Sequence, residues 1–182
     1  MSTYISILRG INVSGHKMIK MDALRNLYEA LGFKNVRTYI QSGNVIFESN
    51  SGKHAEMEKK ISKKISADYG FEVPVMVKAL EEIETVIQNN PFLKKRKEDP
   101  AKLHVTFLSA EPDSAIIAAI QKGSWGADEF IVSGTNVYMF CPDGYGNTKL
   151  HTNFFESKLK LTATTRNWKT VQELARIAGE KP

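Results

Sequence analysis

Gly10 and Gly15, followed by His16 and Lys17, come close to the phosphate-binding loop G-x-x-x-x-G-K-[ST]. In that loop the glycines let main-chain amides approach a phosphate, the lysine reaches its outer oxygens and the hydroxyl holds magnesium. Here histidine stands in the lysine position, lysine stands in the hydroxyl position, and no hydroxyl follows. That excludes nucleotide hydrolysis by this route. Anion binding survives: amides lead toward a helix N-terminus, and Arg9, His16, Lys17 and Lys20 add positive charge. The conservative alternative is that the glycines serve backbone geometry and the lysines are solvated.

Three other clusters carry polar chemistry. Gln41-Ser42-Gly43-Asn44 has the composition of a hairpin turn, which is its simplest role. Thr164-Thr165-Arg166-Asn167-Trp168 reads as the opening of the last helix. Arg166 there either binds an anion beside free amides or belongs to an ordinary cap, with Asn167 as cap and Trp168 as core anchor. Asp143-Gly144-Tyr145-Gly146-Asn147 is a second glycine-bearing loop between strand and helix. Lys59, Lys60, Lys63 and Lys64 line one helix but read as a solvated face, with Glu56 spaced to pair with Lys60.

Other chemistries find no seat. The histidines at 16, 54, 104 and 151 have no metal-ligand spacing, and no metal or cofactor is expected. There is no G-x-S-x-G elbow. Cys141, the lone cysteine, reads as a buried structural thiol and excludes an intrachain disulfide, in keeping with a reducing cytoplasm. No secretory leader or membrane-length apolar run is visible. The net charge of +5, from 25 basic and 20 acidic residues, permits an anionic partner without the concentration typical of nucleic-acid binders.

These residues need elements to hold them. Thr3–Leu8 reads as a strand, and Leu24, Leu27, Tyr28 and Leu31 mark a helix ending at Gly32. Val36–Ile40 and Val45–Phe47 make a hairpin; Met57, Ile61 and Ile65 mark a second helix; Val73–Val77 is a fourth strand. The order β-α-β-β-α-β is the ferredoxin-like arrangement, an antiparallel sheet with helices on one face.

The second half repeats it. A connecting helix (Leu80, Ile83, Ile87) is followed by strand Leu103–Leu108, a helix starting at Pro112, a hairpin over Phe130–Val132 and Asn136–Phe140, a helix with Leu150, Phe154 and Leu159, a short strand over Leu161–Thr164, and a last helix from Trp168. Tyr39–Phe47 lies over Phe130–Phe140 with a two-residue insertion, which favours a true internal repeat. The expected division is 1–90, a linker at 91–101 carrying Lys94–Lys97, and 102–182. The third strand lacks the aromatic pair with which RNA-recognition sheets stack bases.

Leu8-Arg9-Gly10-Ile11-Asn12-Val13, Tyr39-Ile40-Gln41-Ser42-Gly43-Asn44-Val45 and Thr165-Arg166-Asn167-Trp168 together resemble a bacterial family known as domain of unknown function 1697 (DUF1697). The family often has glycine where this chain has Ser14. The resemblance spans nearly the whole chain. It implies two related ferredoxin-like α+β subdomains, in tandem or intertwined, and it implies no activity.

The function expected from the residues is binding of an anionic, phosphate-bearing small molecule in a cleft between subdomains. The ligand residues are Arg9, Gly10, Asn12, Gly15, Lys17, Gln41, Asn44 and Arg166. The alternatives are nucleic-acid binding through a basic surface, and a protein–protein module or dimer without a small-molecule site. The sequence names no nucleophile, general base or metal seat, so whether the chain is an enzyme stays open.

Overall fold

The computed structural model describes Met1–Glu180. The first half runs β1 (Ser2–Leu8), α1 (Met21–Ala30), β2 (Lys34–Tyr39), β3 (Asn44–Ser49), α2 (His54–Tyr69), β4 (Val75–Ala79) and α3 (Leu80–Gln88). The second runs β5 (Leu103–Leu108), α5 (Ser114–Gln121), β6 (Glu129–Ser133), β7 (Asn136–Phe140), α6 (Thr152–Leu159), β8 (Ala163–Asn167) and α7 (Trp168–Gly179). A short helix, α4 (Pro91–Lys94), stands between them. The sheets have strand orders β2-β3-β1-β4 and β6-β7-β5-β8, all antiparallel. These are two copies of the ferredoxin-like order. No helix is long and apolar enough to cross a membrane among the described residues.

The repeat extends to single main-chain bonds. Leu8 N–H donates to Gly43 O at 2.9 Å and Leu108 N–H to Thr135 O at 2.8 Å. Arg9 N–H donates to Pro74 O, and Ser109 N–H to Thr162 O, both at 2.9 Å. Asn44 lies opposite Ile7, as Asn136 lies opposite Phe107. The two-residue difference therefore sits in the turn, and the first half is the longer. Ile40–Gly43 joins β2 to β3, whereas Gly134 and Thr135 alone join β6 to β7.

Amphipathic period builds each core. In the first, Leu24, Leu27 and Tyr28 of α1 and Met57, Ile61 and Ile65 of α2 close on Tyr4, Leu8, Val45, Phe47, Val75 and Val77. Ser6 on that face is satisfied by the Tyr28 hydroxyl at 2.7 Å. In the second, Ile117, Ile120, Phe155 and Leu159 close on Leu108, Phe130, Val137 and Met139. Cys141 is buried there, and burial, with Asp128 nearby, pushes its thiol up to about 11.

The chain divides into two compact units: Met1–Glu84 with the segment that begins at Glu173, and Thr85–Gln172. The divisions fall inside α3 and α7. The region expected as a linker is ordered. Asn90 caps α4, Phe92 is buried, and Arg96 holds Glu129 through two bonds of 2.7 and 2.8 Å. Helix α5 starts after Asp113, whose carboxylate caps the amides of Ala115 and Ile116, so Pro112 lies outside it. Glu56 pairs with Lys53, not Lys60; the Lys60 ammonium instead reaches Leu31 O at 2.6 Å and lies over the Phe33 ring.

Candidate functional site

Two connections distinguish the first half from the second. The β1–α1 connection runs from Arg9 to Lys20, against Ser109–Asp113 between β5 and α5. The β2–β3 turn is the other longer segment. Both lie at one end of the first sheet, because β1 runs toward the end where β2 turns into β3.

The long connection folds on itself as a small hairpin. Asn12 N–H donates to Lys17 O at 3.1 Å, and His16 N–H to Val13 O at 2.9 Å. Ser14 and Gly15, the two central residues, are both left-handed, with φ of 49° and 76°. A two-residue turn of type I′ requires this at both positions. Gly10, Asn12 and Lys17 are left-handed as well. Ile11 and Ile19 pin the base of the hairpin in the core.

Asn12 joins the two connections. Its side-chain nitrogen donates to Ile19 O at 2.9 Å and to Gln41 O at 2.8 Å, while its oxygen accepts from Ile19 N–H at 2.8 Å. Gly43 completes the contact from the other side. A Cβ there would lie 2.6 Å from Ile11 Cδ1 and 2.9 Å from Leu8 Cβ.

A groove of about 520 Å³ opens beside this junction, lined by Asn12, Met18, Lys20, Met21, Gln41 and Tyr69 among others. It reaches the first turn of α1, where Lys20 is the N-cap and supplies no side-chain acceptor. Amides of an uncapped first turn favour an anion. Asp22 stands in the same turn and opposes one. Val13, Met18 and Ile40 are exposed large apolar side chains at this end.

The expected ligand residues divide accordingly. Asn12 and Gln41 meet at the groove. Gly10 and Gly15 serve left-handed backbone positions and are open on their Cα side. The Lys17 ammonium is held by Glu72 O at 2.6 Å. Arg9 continues the β1 ladder through its N–H to Pro74 O. Asn44 is fully buried and donates to Tyr39 O and Ser42 Oγ, closing the β2–β3 hairpin. Arg166 lies in strand β8, not at a helix start. Ladder pairing with β5 carries the strand on to Asn167, and Asn167 caps α7 through Thr170 N–H. The Arg166 guanidinium, buried in the second unit, donates to Thr164 Oγ1 and Thr165 O.

Lys20 was read only as a source of positive charge, and Met18, Met21 and Tyr69 were not legible as site residues, since nothing in their spacing marks them. A second unmarked feature is a line of hydroxyls in the second unit. Thr106 and Thr165 are 2.7 Å apart, Thr165 and Thr152 2.8 Å, and Thr152 and Tyr145 3.3 Å. Thr106 donates to Met139 Sδ, which can only accept. Each hydroxyl has one proton to give and can accept another, so the line can run through all four. The Tyr145 ring stacks on His104, whose burial lowers its affinity for a proton. Among the described residues, no group of three or more His, Cys, Asp or Glu is placed to hold a metal.

The family model described as protein of unknown function (DUF1697) matches residues 1–138. Among solved structures, that of a conserved bacterial protein, SP0830 of Streptococcus pneumoniae, is similar over 97% of this chain and 98% of that one, with 26% identity and a TM-score of 0.76. No curated protein matches the chain.

Proposed function

The chain belongs to the DUF1697 family, and from that premise we propose that its first unit binds a small molecule with an anionic group and an apolar body. The anionic group, a phosphate or a carboxylate, sits against the first turn of α1 beside Lys20. The body lies along Met18, Met21 and Tyr69. One observation carries this reading: the two connections that are longer in the first half than in the second are latched together where a groove meets an uncapped helix N-terminus. A loop with five left-handed residues from Gly10 to Lys17 is costly to hold, on the order of 1 kcal/mol for each non-glycine one, and strain of this kind gathers at binding sites. The lone buried thiol suits work in the cytoplasm.

The test is a thermal-shift screen of nucleotides, sugar phosphates, phosphorylated cofactors and carboxylates with an apolar body. A binder at about a hundred times its dissociation constant stabilises by about 2.7 kcal/mol. The shift should shrink in Lys20→Ala. No shift from any of these compounds sinks the proposal. Affinity for RNA or DNA that falls steeply with salt would favour the basic surface around Arg9, His16, Lys17 and Lys20 as a nucleic-acid site instead. A protein partner that covers Val13, Met18 and Ile40 would favour an interaction module.

A further inference from the structure

Each sheet ends in two edge strands, and an edge offers unpaired main-chain groups to any further strand unless something blunts it. Three of the four edges are blunted. On β4, Val77 N–H is taken by Glu58 Oε1 at 2.9 Å and Ala79 N–H by Glu82 Oε2 at 2.7 Å. On β8, Ala163 N–H is taken by Glu156 Oε1 at 3.0 Å, and Thr165 O accepts from Arg166 at 2.9 Å. On β2, the register with β3 shifts between Lys34 and Arg37, and Asn35 is left-handed.

Strand β6 has none of these devices. Glu129–Ser133 pairs residue for residue with β7 and contains no bulge, proline or lysine. Its hairpin closes through a two-residue turn, so Ser133 and Asn136 bond to each other, and alternation turns the N–H and C=O of Phe130 and Val132 outward. Among the described residues, no main-chain bond from outside the ladder reaches Phe130 or Val132. Ile131, between them, is 40% exposed.

We propose that β6 pairs with β6 of a second copy of this chain, antiparallel about a twofold axis at Ile131. The two four-stranded sheets of the second units then run on as one. In this register Phe130 meets Val132 of the second copy, the two Ile131 side chains meet, and Glu129 meets Ser133. No like charges oppose one another, and the Glu129 carboxylate is already held by Arg96. The contact is small, so the dimer is weak and depends on concentration.

Sedimentation of the full chain from micromolar to near-millimolar concentration should show the mass rising from monomer toward dimer. Over the same range, amide exchange at Phe130 and Val132 should slow. Ile131→Lys sets two ammonium groups face to face at the axis and should weaken association by about tenfold or more. Val132→Pro removes an outward N–H from each copy, leaves the β6–β7 ladder whole, and should weaken it too. If the proline variant does not fold, the exposed Ile131→Lys change carries the test. A monomer at every concentration overturns the proposal. So does a dimer that tolerates Ile131→Lys and leaves the Phe130 and Val132 amides unprotected.

Discussion

Asn12 donates its side-chain amide to the main-chain carbonyl of Gln41, 2.8 Å away, and so ties the β1–α1 connection to the β2–β3 turn. The same side chain both donates to and accepts from Ile19. Asn12→Ala should therefore destabilise the protein by about 1–3 kcal/mol. Asn12→Gly loses the same bonds but accommodates the left-handed backbone, and should be milder by about 1 kcal/mol. Urea denaturation of both variants checks the order; an Asn12→Ala variant as stable as the parent would remove the latch from the site.

Gly43 is held to glycine by space as well as by its φ of 87°. Gly43→Ala drives a methyl into Ile11 and Leu8 and should cost about 1–3 kcal/mol beyond the backbone strain. Gly10→Ala meets nothing within 4 Å and should show the strain alone, about 1–2 kcal/mol. Equal thermal losses in the two variants would contradict the close packing of turn on loop.

Asp22 and Lys20 oppose each other at the mouth of the groove. With whichever anion the screen identifies, Asp22→Asn should bind a few-fold more tightly and Lys20→Ala a few-fold more weakly, as exposed charges near a helix start are each worth about 0.3–1 kcal/mol. Titration calorimetry at low and high salt reads both, and the difference should shrink with salt.

Thr165 sits mid-line in the hydroxyl chain of the second unit. Thr165→Val keeps the shape but removes the hydroxyl that both Thr152 and Thr106 bond to. It should cost about 1–3 kcal/mol, whereas Thr165→Ser should cost far less. A valine variant with parental stability would show that water replaces the lost partners.

His104 is half-buried against Tyr145, and burial lowers its folded pKa below the ordinary 6.5. Below 6.5 the unfolded chain therefore binds the proton first. Stability should fall as pH drops from 6.5 toward the lowered folded value, and level off beneath it. His104→Phe should flatten that window in pH-dependent melting. An unchanged profile would place the dependence on other groups.

Much of the fold was legible because its signals are local. Met57, Ile61 and Ile65 share a helical face through spacing alone, and the hairpin residues around Gly43 and Gly134 announce their turns. The repeat followed from the order of elements, although the longer turn lies in the first half. Pro112 and Arg166 misled for one reason. Helix and strand ends were decided by Asp113 capping and by β8 pairing with β5, and neither is a property of the residue read in isolation.

By itself the sequence determined what could not occur: no intrachain disulfide with Cys141 alone, and no phosphate loop with His16 and Lys17 in the wrong places. It also determined two βαββαβ halves, since backbone periodicity is written in neighbouring side chains. Only the tertiary structure decided what the polar residues do. Asn12, Asn44, Lys17 and Arg166 all find main-chain carbonyls as partners, at Gln41, Tyr39, Glu72 and Thr165. A carbonyl is the same group at every residue and leaves no mark in the sequence. Which one a side chain reaches is settled only when the strands bring it within 3 Å.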